Sequence, residues 1–223
     1  MKTLVIISAG AEWRAVKEIV PDVQVQPTPM GEYFDLQLVG DKSVRFFHGG
    51  WGKVSADATA QYGIDHFSPE LLVNLGTCGG FAGRIEKGAI ILVERTIVYD
   101  IIEQMGDSEE AIRNYSTNID LAWLEQPYPH PVWRGLLVSA DRDIVVQEIP
   151  QLVERYAAVA ADWESGAIAW VAHKNNVRLL VLRGVSDLVG SDGGEAYGDY
   201  ELFARRTRDV MKTLIEQLPD WLP

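Results

Sequence analysis

The segment from 157 to 192 constrains the fold more than any other part of the chain. An apolar run from Leu179 to Val185, interrupted by Arg183 and Gly184, delivers Ser186-Asp187 into a Gly/Ser/Asp-rich loop. Upstream, the Ala/Val-rich run Ala157 to Trp163 ends in Asp162-Trp163-Glu164, and Ser165 to His173 reads as a helix. Strand, helix and strand in that order make one unit of an α/β sheet. Open α/β sheets place ligand sites at the carboxyl ends of their strands. Acids at both strand ends, rather than on a solvated helix face, point to an enzyme acting on a small polar molecule.

Composition narrows the partners. At 223 residues and 47% hydrophobic content, the chain can bury a full core as one α/β domain spanning 1–223. A formal charge of −12 argues against nucleic acid or an anionic membrane, which are held by Lys/Arg clusters. No apolar run approaches the roughly 20 residues of a membrane helix. The N-terminus enters a strand-like run, Leu4 to Ile7, too short for a signal segment. The lone Cys78 fits a reducing cytoplasm and forms no internal disulfide framework. His48, His66, His130 and His173 are scattered without zinc spacing, so no metal is expected.

Strand and helix patterns alternate along the chain. Lys2 to Ser8 reads as a buried strand, and Glu12 to Val20 as an amphipathic helix stopped by Pro21. Tyr33–Val39 and Val44–His48 flank a Gly40-Asp41 turn signal, which predicts a hairpin. Lys53 to Phe67 carries a helical stripe of Ala56, Ala60 and Ile64. Leu71 to Leu75 reads as a short strand opening into a glycine-rich loop, Gly76 to Gly83. Ala89–Tyr99 and Arg134–Ala140 are further strands, Gly106 to Pro131 an excursion or lid, and Asp199 to Leu218 a closing helix.

Chemistry is therefore expected at Gly10 to Arg14, Asn74 to Gly80, Asp162 to Glu164, and Ser186-Asp187. Each has a plainer reading. Glu12 suits the positive end of its helix, and Asp162 or Glu164 can cap the next one. The glycines can relieve a turn, Asp187 can be an ordinary turn aspartate, and Arg183 can be a structural ion-pair partner. The glycines match neither a P-loop nor the dinucleotide fingerprint, so no cofactor is expected. The coincidence of acids at successive strand ends favours a site.

These segments resemble the nucleoside phosphorylase and nucleosidase superfamily. The match runs through Asn74-Leu75-Gly76-Thr77-Cys78-Gly79-Gly80-Phe81, Asp162-Trp163-Glu164-Ser165-Gly166-Ala167 and Arg183-Gly184-Val185-Ser186-Asp187. Within the superfamily the chain looks closest to the 5′-methylthioadenosine/S-adenosylhomocysteine nucleosidase branch. The resemblance implies a three-layer α/β/α sandwich around a mixed, partly barrel-like central sheet, assembled as a homo-oligomer, with a dimer as the first expectation. It also implies cleavage of the N-ribosidic bond of a purine-type nucleoside.

In that scheme Asp187 protonates the leaving base and Glu12 positions or deprotonates the attacking water. Glu164 holds the ribose hydroxyls, with Trp163 as an apolar floor in place of the family's methionine. Thr77, Gly79, Ser186, Ile144 and Asp143 line the substrate site. Asp143 falls where the branch carries a ring that stacks on the base, which opens 6-oxopurine (futalosine-like) nucleosides as an alternative. Gly10 and Arg14 resemble the phosphate loop of phosphorylases, whereas Asn74 replaces their second arginine. Hydrolysis is the expected reaction, phosphorolysis the alternative. A nucleoside-binding protein without activity and an unrelated sugar-binding α/β protein are the other classes.

Overall fold

Residues 2–38 and 42–223 are described by the computed structural model; the predicted Gly40-Asp41 turn lies outside them. The chain begins with β1 (Thr3–Ile7), α1 (Gly10–Ile19), β2 (Gln26–Thr28), β3 (Gly31–Gln37), β4 (Ser43–His48) and α2 (Lys53–Phe67). It continues through β5 (Leu71–Phe81), β6 (Ile90–Val98), α3 (Ser108–Asn114), β7 (Ser116–Asn118) and β8 (Trp133–Ser139). The last third holds α4 (Ile149–Tyr156), β9 (Ala158–Asp162), α5 (Ser165–Lys174), β10 (Arg178–Gly190), β11 (Gly193–Gly194) and α6 (Tyr200–Trp221).

Pairing makes one mixed sheet that partly closes on itself. β5 pairs parallel with β10, and β10 antiparallel with β6. β6 pairs parallel with β8, β8 parallel with β9, and β9 returns antiparallel to β5. These strands form a barrel, while β1, β4, β3 and β2 extend from β5 as an open wing. β1 is buried along its whole length because β4 and β5 flank it and helices cover both faces. Its alternate side chains sort accordingly. Val5 and Ile7 pack with Trp13 and Val16 of α1 and with Val210, Leu214 and Leu218 of α6. Leu4 and Ile6 pack with Ala56 and Ala60 of α2 and with Ile168 and Ala172 of α5. The layers and partial closure are those expected from the sequence.

The two strands that carry the site differ from their predicted form. The glycine-rich stretch after Leu75 is strand as far as Phe81, and Ser186-Asp187 lies within β10 instead of in a loop. The glycines serve close approach more than turning. A Cβ at Gly76 would sit 2.0 Å from Nη1 of Arg183 and 2.7 Å from Oε1 of Glu12. One at Gly79 would sit 2.7 Å from Cδ1 of Ile144. Side chains from neighbouring elements lie across the strand where it has none of its own. Along the β5–β10 pair the register shifts between Val185 and Asp187: Val185 faces Cys78, and Asp187 faces the next residue, Gly79. This bulge at Ser186 re-aims the following side chains.

Two other segments hold more structure than their sequence announces. Gly106 to Pro131 contains α3 and β7, the latter paired with β6, so part of the predicted excursion belongs to the sheet. Helix α4 is a further addition; its Pro150 stands in the first turn, where its missing N–H is not needed.

Candidate active site

At the floor of the site Arg183 is fully buried and surrounded by acceptors. Its Nη2 lies 3.0 Å from Oδ2 of Asp162 and 3.8 Å from Oε2 of Glu164, and its Nη1 lies 3.7 Å from Oε1 of Glu12. Nε donates to Ser165 Oγ at 2.9 Å, Nη2 to Asn74 Oδ1 at 2.9 Å, and Nη1 to the Thr77 carbonyl at 3.3 Å. Asn74 is itself held by donating to the Ile6 carbonyl at 3.1 Å. A buried guanidinium persists when its donors are matched in this way. Arg183 is thus the structural ion-pair partner that an arginine in an apolar strand suggests.

The three acids around it are held differently. Asp162 accepts from Ser139 Oγ at 2.6 Å and from the Ser165 N–H at 3.1 Å, so it caps the start of α5, as its plainer reading has it. Glu12 does what its helix position predicts, its Oε2 accepting from the Ala9 N–H at 3.1 Å. It also does more: its Oε1 accepts both the Thr77 N–H at 2.6 Å and the Thr77 hydroxyl at 2.9 Å. Glu164 makes no side-chain cap to α5; it accepts instead from the Gly52 N–H at 3.0 Å. Burial pushes the Glu164 carboxyl well above the usual range, partly offset by Arg183 and reinforced by Asp162 and Glu12.

Asp187 stands apart from this cluster. It is buried, accepts from the Ser186 hydroxyl at 2.7 Å, and is raised by burial, with the Ser186 hydrogen bond and Arg206 opposing. Ser186 Oγ also reaches the Cys78 carbonyl at 3.3 Å. The Tyr197 hydroxyl donates to the Ile144 carbonyl at 3.2 Å, and burial pushes its phenol up to about 12, so it remains a donor.

A cleft of about 730 Å³ connects these groups. Every residue predicted from sequence lines it: Gly10, Glu12, Arg14, Thr77, Gly79, Asp143, Ile144, Trp163, Glu164, Ser186 and Asp187. They do not stand at equal depth. Glu12, Glu164 and Asp187 are buried, whereas Asp143 and Arg14 are exposed at the rim. Arg142, beside Asp143, is tied to Glu148 and lies over the Tyr99 ring.

Several lining residues escape the sequence reading. Trp51 packs against Trp163 with ring centroids 5.2 Å apart. It is carried on a turn whose Gly50 and Gly52 have φ of +96° and +85°. That Gly-Trp-Gly pattern is a usable signal, since two left-handed glycines beside an aromatic fix a ring on a tight loop. Tyr197, Tyr200 and Phe203 also line the cleft around the start of α6. No local pattern separates Tyr200 and Phe203 from the ordinary apolar stripe of that helix, or Tyr197 from the turn before it.

Comparison with known proteins agrees with this architecture. Residues 2–218 match the family model of the Phosphorylase superfamily. The chain belongs to that superfamily. A 5′-methylthioadenosine/S-adenosylhomocysteine nucleosidase from Maridesulfovibrio salexigens is 31% identical over 166 residues, covering 69% of this chain and 71% of its own. One of the same name from Tolumonas auensis is 24% identical and covers 98% of this chain and 100% of its own. Among solved structures, the Neisseria meningitidis nucleosidase in complex with methylthio-immucillin-A superposes with a TM-score of 0.78. It shares 20% identity with this member of the superfamily, over 100% of both chains.

Proposed function

We propose that the cleft hydrolyses the N-ribosidic bond of a purine nucleoside of the 5′-methylthioadenosine/S-adenosylhomocysteine class. Asp187, its protonated form favoured by burial, gives its proton to the purine as the C1′–N bond breaks. Glu164, raised by burial against the opposing pull of Arg183, accepts from the ribose hydroxyls and in its ionised form stabilises positive charge developing on the ring. Glu12 takes a proton from the water whose oxygen bonds to C1′. Trp163 and Trp51 form an apolar wall along the sugar. The products are free base and free pentose, and no cofactor is needed.

The observation that carries hydrolysis over phosphorolysis is the pair of bonds from Thr77 to Glu12, at 2.6 and 2.9 Å. Both donors that would cradle a phosphate are already engaged by a carboxylate, which would also repel a dianion. Asn74, where phosphorylases carry an arginine, is engaged with Ile6, Ser165 and Arg183. Incubation with methylthioadenosine in phosphate-free buffer should release adenine and methylthioribose. Strict dependence on phosphate, with a pentose 1-phosphate product, would reverse the assignment.

A second reading, 6-oxopurine nucleosides of the futalosine type, is favoured by Asp143 at the rim. A carboxylate accepts from the N1–H of a 6-oxopurine, a donor that adenine lacks. Higher kcat/KM on inosine than on adenosine would promote it.

The same reading extends to the molecule as a whole. Residues 1–223 act as one domain, with the lone, buried Cys78 suited to the cytoplasm. The active form is a homo-oligomer, most simply a dimer. Trp51, Val54, Ile102 and Met105 support this, being 63%, 82%, 80% and 97% exposed.

A further inference from the structure

The reaction as drawn uses Glu12, Glu164 and Asp187 and gives no role to Arg14 at the mouth of the cleft. Arg14 follows Glu12 by two positions on α1, roughly 200° round the helix. Glu12 therefore points into the protein while Arg14 is exposed. The Arg14 side chain nevertheless turns back towards the cleft. Its Nη1 lies 3.7 Å from the place a Cβ would occupy on Gly10, and its Nη2 donates to the Tyr200 hydroxyl. Among the described residues that hydroxyl is its one hydrogen-bond partner.

Arg142, the other arginine lining the cleft, is committed to Glu148, and Arg183, buried beneath the floor, to Asp162. Arg14 is thus the uncommitted cation of a cleft lined by Glu12, Asp143, Asp162, Glu164, Asp187 and Asp199, the last engaged in capping α6. A carboxylate carried into a cavity so rich in carboxylates needs one group to offset the repulsion. A guanidinium with free N–H donors suits a planar carboxylate better than any other side chain.

We propose that Arg14, with the Tyr200 hydroxyl beside it, selects nucleosides whose 5′ substituent carries a carboxylate. The inference rests on the nucleosidase reading and adds to it which 5′ group is preferred. Asp187 fixes the base and Glu164 the ribose, both deep. The 5′ carbon is attached at C4′, across the ring oxygen from the base, so with base and ribose held deep the 5′ substituent has the mouth to extend into, where Arg14 and Tyr200 stand exposed. An S-linked amino acid, as in S-adenosylhomocysteine, presents a carboxylate there; a methylthio group presents nothing that Arg14 can hold.

The test compares wild type and Arg14→Gln on S-adenosylhomocysteine and on methylthioadenosine, each without and with added inorganic phosphate. Arg14 is exposed, and circular dichroism should confirm an intact fold. With S-adenosylhomocysteine, KM should rise about 10- to 100-fold, the range of a lost charge-assisted hydrogen bond, and kcat should change little. That loss should exceed any change with methylthioadenosine at least tenfold, and added salt should mimic it in the wild type. Equal losses on both nucleosides, or no loss on either, would overturn the assignment while leaving the nucleosidase reading intact. A loss seen only with phosphate present, together with a pentose 1-phosphate product, would give Arg14 to phosphate instead. A wild type inert on both nucleosides would overturn the reaction itself, and this inference with it.

Discussion

Arg183 at the floor of the cleft and Arg14 at its mouth are the same side chain in opposite settings. Arg183 is fully buried, touches carboxylates from α1, β9 and the start of α5, and has its donors matched by Asn74, Ser165 and Thr77. Arg14 is exposed and shares one hydrogen bond with Tyr200. At the floor each group is fixed by several others, so replacing any one disturbs a network. At the mouth each group answers to few neighbours and can change without disturbing the rest. In the proposed reading, Glu12 and Glu164 act in the first setting with Asp187 beside it, and the choice of 5′ group lies in the second.

Asp187→Asn should show the largest effect. The side chain is nearly isosteric, so the fold should persist, while turnover should fall by about 10²–10⁴, the range of general acid catalysis. Because burial raises the Asp187 carboxyl, the wild-type rate should fall as pH climbs through that raised value, and the variant should lack this alkaline limb. A folded variant with wild-type turnover would remove Asp187 from the chemistry.

Gly76→Ala tests how tightly the floor is fixed. The new methyl would strike both Arg183 and Glu12. Overpacking of this kind destabilises by about 1–3 kcal/mol, readable by urea denaturation. Activity should fall with it. An unchanged midpoint would show a floor that yields, and the contrast with the mouth would weaken.

That Glu12, Glu164 and Asp187 stand in one cleft was legible in the sequence, because each follows an apolar run in a local pattern. The layered fold was legible for the same reason, since Leu4-Val5-Ile6-Ile7 and Leu179 to Val185 leave few other places to lie. The path of β5 was not. Gly76 and Gly79 read as a loop because a chain seen alone cannot show that Arg183 and Ile144 lie across them. Tyr200 was invisible as well, because its partner Arg14 is 186 positions away.

Glu164→Gln should reveal a smaller, pH-dependent effect on stability. Burial raises the Glu164 carboxyl, so its ionised form is harder to reach in the folded protein than in the unfolded chain. This penalty is absent below the unfolded value of 4.5 and grows as pH rises towards the folded one. Asp162 and Glu12 still neutralise Arg183 in the variant. Measured as a difference in Tm, the variant should gain on the wild type by on the order of a few degrees between about pH 4 and 8. A gain that shrinks with rising pH would contradict the assigned direction.

The smallest change is expected at the rim. Asp143→Asn should alter kcat/KM for methylthioadenosine less than about threefold, since exposed groups away from buried networks have little effect. A loss beyond tenfold would move Asp143 from mouth to floor.

The register shift in β10 has a consequence for how this site can vary through descent. Side chains on a strand alternate, so Asp187 faces the cleft only because one extra residue is counted between it and Val185. Ironing the bulge out with Ser186 kept would set Asp187 opposite Gly80 and turn it to the other side of the sheet, with every acid of the motif still present. Substitutions along β10 can be explored one at a time, but the irregularity cannot be lost while Ser186 stays. Lineages sharing this reaction should therefore differ in spelling from Arg183 to Asp187 while keeping the bulge between them.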